Sequence, residues 1–356
     1  MSPAEYNTLT LSCLAMLLCY DYGTEVLKVF QKGEKMLRSF LIYLSQAGWA
    51  QNMVTGWSVA WRVASRFIAG VSIDEAIAVV HQLNAKGINA TLDHLGEHTS
   101  TAEEATQSAG EIIEILDEIE KAGVSAGVSI KLTQIGMGLD SGICRQNLRR
   151  ILERAKEYKN FVRIDVEDTP YSDIAIEAYN EMLEVGFTPK TVGMAIQSYL
   201  YRAEADTRKM LEKGTRFRLV KGAYKEPPDK AYPKKEDVDA NYDLLTKILM
   251  DAALAAGSPK ISKDGHIPPI PAIGTQDEKR VEFAKEYAQK IGLDKNAFEF
   301  QMLYGIRTDL QEKLAAEGYC VRVYVPFGSD WYPYNMRRLA ERPANLWFFV
   351  SNFFKK

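Results

Sequence analysis

The chain has 356 residues, 46% of them apolar and 26% charged, with a formal net charge of -3 at pH 7. This is a globular composition with enough apolar side chains for a large core, and it lacks the basic footprint of a nucleic-acid binder. The four cysteines, Cys13, Cys19, Cys144 and Cys320, show no CxxC spacing. They read as reduced thiols of a cytoplasmic protein rather than a disulfide or metal framework.

The apolar stretch 9–19 has no basic segment before it and is too short to span a bilayer, so it reads as a buried or oligomer-forming helix. Helical spacing of apolar residues continues over 27–47 and 57–68. Ser72 and Glu75 have the spacing of a capping box, in which each satisfies backbone donors of the other, and the helix they open runs to Gly87. Residues 1–87 are therefore expected to form an N-terminal helical segment and 88–356 the remainder of the fold.

From residue 88 the pattern alternates. Strands are expected at 89–97, 128–132, 161–166, 192–197, 217–224, 271–275, 298–303 and 321–325. Helical patterns fill the gaps; one is opened by Ser100 and Glu103 and carries Ile112, Ile115, Leu116 and Ile119 on its inner face. Alternation of this kind implies a parallel sheet, and eight strands are the number that closes a (β/α)8 barrel. A charged loop at 226–236 follows the fifth strand, on the side of a barrel where active sites are built.

Lys131, Asp165, Gln197, Arg218, Lys221, Tyr224 and Tyr324 lie within or just after these apolar strands. A charge inside such a run costs several kcal/mol unless it is paired or reaches solvent. Together they point to one polar pocket at the C-terminal end of the strands. Beyond the eighth strand a turn leads into a helix carrying Arg337 and Arg338, a pairing suited to a carboxylate or phosphate. Tyr334 precedes them by three and four residues, so the three can share one ligand. No GxGxxG, P-loop or GxSxG pattern is present. Two barrel chemistries remain: a Schiff-base lysine, Lys131 or Lys221, as in an aldolase or lyase, or a bound flavin with a small anionic substrate.

Arg218-Leu219-Val220-Lys221-Gly222-Ala223-Tyr224 and Tyr334-Asn335-Met336-Arg337-Arg338-Leu339-Ala340-Glu341 resemble the two signature segments of proline dehydrogenase. Segments 92–97, 129–131, 163–168 and 301–305 match in the same order, so the resemblance spans residues 88–341. It implies a distorted (β/α)8 barrel with additional N-terminal helices and a C-terminal helix over the barrel mouth. It also implies non-covalent FAD, oxidation of L-proline to Δ1-pyrroline-5-carboxylate, and a membrane quinone as electron acceptor.

Carried over by residue, the resemblance has Arg337, Arg338 and Lys131 bind the proline carboxylate, while Tyr324, Tyr334 and Leu303 pack on the ring. Arg218 would lie by the reactive edge of the flavin. Asp165 and Tyr224 would shape the pocket behind the lysine and the flavin, and Glu97 would pair with the first arginine as a gate. Gln197, Arg218, Val220, Lys221, Gly222, Ala223, Thr275, Gln276 and Glu341 would contact FAD. Many members have histidine where Gln276 stands, and glutamine cannot carry its charge. Tyr324 against the ring leaves no room for a ring hydroxyl, so proline is expected over 4-hydroxyproline. The chain ends soon after the last helix, which implies a monofunctional enzyme. Its aromatic tail at 346–356 is expected to pack on the barrel or on another subunit of a homo-oligomer, or to touch the inner face of a membrane.

Overall fold

The computed structural model describes Tyr43 and residues 65–96, 99–224 and 226–341, with side chains described as far as Met336. The helix expected at 9–19, that at 27–47 apart from Tyr43, most of that at 57–68, and the aromatic tail lie outside the described residues. Ala64–Trp331 form one compact unit, and Met1–Val63 with Tyr332–Lys356 form another.

The first unit is a closed barrel of eight parallel strands in sequence order. Helix α1 (Ile73–Asn84) precedes β1 (Asn89–His94), and α2 (Ala102–Ala122) leads to β2 (Ala126–Ile130). Then come α3 (Ser141–Glu157), β3 (Val162–Ile164), α4 (Thr169–Glu184), β4 (Val192–Gln197), α5 (Ala203–Leu211) and β5 (Phe217–Val220). The circuit is completed by α6 (Lys235–Ala255), β6 (Pro271–Gly274), α7 (Glu278–Ile291), β7 (Glu299–Leu303), α8 (Thr308–Ala316) and β8 (Cys320–Phe327). Trp331–Glu341 is helical (α9), beginning at the last residue of the first unit.

The capping box at Ser72 and Glu75 is present as read. The next helix starts one residue later than expected: Thr101, not Ser100, accepts from the Glu104 N–H, while the Glu104 carboxylate accepts from the Ser100 N–H at 2.6 Å. The first helix stops at Asn84, short of Gly87. β5 ends at Val220, so Lys221 to Tyr224 belong to the loop beyond it. β8 runs further than expected because β1 pairs with it through Phe327.

Alternation along the strands separates two environments. Leu92, Val128, Ile130, Val162, Ile164, Met194, Leu219, Phe300, Val323 and Val325 belong to one continuous buried apolar core. The opposite face is polar. Arg218 on β5 hydrogen-bonds to Ser129 on β2 and Gln301 on β7, strands that are not its neighbours, so these side chains meet inside the barrel. Barrel interiors are ordinarily filled by branched apolar residues; here guanidinium groups occupy that space. Glycine makes part of the room, since a Cβ at Gly193 would come within 2.7 Å of the Phe161 ring and 2.9 Å of Arg163 Nη1.

Candidate active site

The polar residues at the C-terminal ends of the strands fall into two linked groups. Asp93, one residue from the end of β1, accepts from Lys131 Nζ at 3.0 and 3.1 Å. Burial pushes the Asp93 carboxyl above the usual carboxylate range; the Lys131 charge opposes this without cancelling it, and the nearby Asp165 charge adds to the rise.

Asp165 follows β3 and is the hub of the second group. One of its oxygens accepts from Arg218 Nη1 at 2.5 Å and the other from the Tyr324 hydroxyl at 2.9 Å. Arg218 also donates through Nε to Gln301 at 2.5 Å and through Nη1 to Ser129 at 3.1 Å, and its guanidinium lies 5.0 Å from the centre of the Tyr324 ring. The Tyr324 phenol is pushed well above its ordinary pKa by burial, then by the charges of Asp165 and Asp93, so it stays a neutral donor. Leu303 pairs with Tyr324 across β7 and β8 and is half-buried.

Gln197 ends β4. Its amide nitrogen donates to Val166 O at 3.1 Å, whereas its buried Oε1 has no hydrogen-bond partner among the described residues. Lys221 turns away from the Asp165 group: Nζ donates to Asp239 of α6 at 2.5 Å and to Asp277, the N-cap of α7, at 2.7 Å. Burial, the largest single effect, raises the carboxyls of Asp239 and Asp277, but the hydrogen bonds and charge of Lys221, joined by Lys235 at Asp239 and the Lys279 N–H at Asp277, together outweigh it and both end below the usual range. Thr275 Oγ1 accepts from the Asp277 N–H at 3.1 Å, and Gln276 beside it is half-exposed.

Gly222 has φ +117°, and a Cβ there would sit 2.5 Å from the Tyr199 ring. Its need for glycine is thus already met by backbone conformation and a neighbouring ring. Val220 is half-buried, Ala223 is exposed and Tyr224 is 39% exposed. Tyr334 is buried in α9. Glu97 and the side chains of Arg337, Arg338 and Glu341 lie outside the described residues.

The geometry therefore joins Asp165, Arg218 and Tyr324 directly, with Lys131 and Asp93 beside them. It adds Asp93, Ser129 and Gln301 as partners that the reading of strand ends left without a role. Their signal is parity: each shares a strand face with a residue already singled out. Both candidate Schiff-base lysines are engaged by carboxylates.

A closed parallel barrel with charged side chains gathered at the C-terminal ends of its strands is the architecture of a (β/α)8 enzyme. The family model described as proline dehydrogenase matches residues 76–350. The chain is 41% identical over 298 residues to a proline dehydrogenase of Deinococcus radiodurans, covering 83% of this chain and 91% of that one. It is 37% identical over 320 residues to proline dehydrogenase 2 of Bacillus subtilis, covering 90% and 99%. The chain belongs to the proline dehydrogenase family. Among solved structures, proline utilization A of Bdellovibrio bacteriovorus, inactivated by N-propargylglycine, shares the fold with a TM-score of 0.73 at 24% identity. That match covers 91% of this chain and 38% of the other.

Proposed function

We propose that the protein is a flavoenzyme that oxidises L-proline to Δ1-pyrroline-5-carboxylate, with FAD as the hydride acceptor and a quinone, reached by peripheral contact with a membrane, as the final acceptor. The observation that carries this reading is the Asp165–Arg218–Tyr324 group at the barrel mouth in a chain of this family. The residues present fit a flavin. Gln197 Oε1 is a buried acceptor in want of an N–H, and Arg218 is a fixed cation suited to an electron-rich ring edge. Gln197, Arg218, Val220, Lys221, Gly222, Ala223, Thr275, Gln276 and Glu341 would hold the cofactor. When bound, it supplies two-electron, hydride-accepting chemistry.

The chain's own residues bind and orient the substrate. Oxidation to this imine removes a hydride from the ring carbon remote from the carboxylate and a proton from nitrogen. Binding the carboxylate through Arg337, Arg338 and Lys131 therefore fixes the reacting carbon from the opposite side of the ring. Tyr324, Tyr334 and Leu303 cover the ring, and Glu97 gates the first arginine. Asp165 holds both Arg218 and Tyr324, and with Tyr224 it shapes the wall. Orientation of this kind accounts for a large part of the rate when the reactive chemistry resides in a cofactor.

The purified protein should be yellow, and L-proline should bleach it without added nicotinamide. Failure to take up FAD in reconstitution overturns the proposal. Arg337→Ala should raise the proline KM roughly 10- to 150-fold, because it removes a charge-assisted contact worth about 1.5–3 kcal/mol. An unchanged KM would move the carboxylate site elsewhere.

A further inference from the structure

Below the barrel mouth the interior holds more positive charge than its carboxylates can match. Arg163, Arg216, Arg218 and Arg322 are all buried, and the carboxylates that meet them are Asp165 and Glu299. Arg218 pairs with Asp165, and Arg322 pairs with Glu299 at 3.0 Å while donating to Ala90 O and Gly265 O at 2.8 and 2.6 Å. The other two guanidiniums have no carboxylate among the described residues. Arg216 donates to Pro268 O, and Arg163 donates through Nη1 to Met194 O and Arg216 O.

Arg163 is 1% exposed, yet its Nε and Nη2 have no hydrogen-bond partner among the described residues. Those two nitrogens carry three of the five N–H donors of a guanidinium, and arginine does not shed its charge to relieve the strain. Burial, followed by the neighbouring charge of Arg218, works against the Arg163 cation, so an opposing charge would be strongly favoured there.

A cavity of ≈ 10 Å³ adjoins this group, with Arg163, Arg218, Arg322, Gln301, Thr91 and His266 in its lining and no carboxylate among them. It has room for about one water-sized occupant, and a somewhat larger halide would fill it in contact with the guanidinium groups that line it. Water would satisfy a donor but leave the charge unmatched; a halide does both. We propose that the barrel interior binds one monovalent anion, a halide such as chloride, among Arg163, Arg218 and Arg322. Because Arg218 reaches from this cavity to Asp165, the anion is part of the support beneath the mouth. The site does not depend on the identity of the substrate.

The full-length protein, exchanged into sodium gluconate, should gain thermal stability as sodium chloride replaces gluconate at constant ionic strength. The gain should follow a saturating curve, with the unfolded population falling about 100-fold at a hundredfold excess over Kd. Crystals grown in sodium bromide should give an anomalous peak in contact with Arg163. Arg163→Met should abolish the halide response; if that variant fails to fold, the wild-type curve and the bromide peak decide the matter. No halide dependence overturns the proposal, as does a peak of water weight. An anomalous peak without saturating stabilisation, meaning an adventitious ion only, overturns it too.

Discussion

Asp165→Asn isolates the charge of the hub from its shape. The Arg218 and Asp165 side chains are 7% and 15% exposed, so solvent screens their attraction little. Breaking a buried pair by removing one charge costs about 3–5 kcal/mol. Gln301 and Ser129 still accept from Arg218 in the variant, which places the loss near the lower end, about 3 kcal/mol or on the order of 100-fold in the folding equilibrium. Urea unfolding of the flavin-free protein, followed by circular dichroism, measures it. A double-mutant cycle with Arg218→Met separates the pair from its surroundings, and the two losses should be strongly non-additive. A second readout comes from the FAD-loaded protein. With its counter-charge gone, Arg218 should favour the reduced, more anionic ring, raising the midpoint potential by about 30 mV for each 1.4 kcal/mol gained. Stability within about 0.5 kcal/mol of wild type, together with an additive cycle, would refute the assignment of Asp165 as the hub.

Lys221 lowers the carboxyl pKa values of Asp239 and Asp277 against the opposing effect of burial. The stability this contributes is present above the unfolded value near 3.9 and is lost as pH falls through the lower folded values. Lys221→Met should therefore move the acid-unfolding midpoint to higher pH; an unmoved midpoint would show that Lys235 and Arg280 suffice. Tyr324→Ser should narrow the preference for L-proline over 4-hydroxyproline, whereas Tyr324→Phe should keep the preference and lose only the hydroxyl bond to Asp165. Equal wild-type efficiency on the two substrates would remove Tyr324 as the selector. The buried Cys144 thiol is pushed up to about 12 by desolvation, so iodoacetamide at pH 8 should label it only after unfolding.

The strands were legible because a parallel strand covered by helices reads as a continuous apolar run, and β4 matched its expected limits. Errors gathered at the C-terminal ends. Residues there stay in place at the pocket after ladder pairing stops, so composition alone carried β1 to residue 97 and β5 to 224, past the observed His94 and Val220. Among the polar positions, chemistry was visible but partnership was not. Lys131 and Asp93 are 38 residues apart and Arg218 and Gln301 are 83, so their pairing appears only when the barrel closes.

Lys221 and Arg218 show what a local reading can still extract. Arg218 lies within β5 and Lys221 just beyond it, and the sequence pattern treated these two cations alike. With side chains alternating along a strand, positions 216 and 218 share a face and 221 falls on the other. Arg216 and Arg218 are accordingly inside, while Lys221 bridges α6 and α7. The same parity places Glu299 with Gln301, and Arg322 with Tyr324, on the interior face of β7 and β8. Applied to every strand, it would have exposed the charged barrel interior before any coordinate did. It would also have shown that Arg163, on β3 and two residues before Asp165, points into that interior, where it pairs with no acid among the described residues.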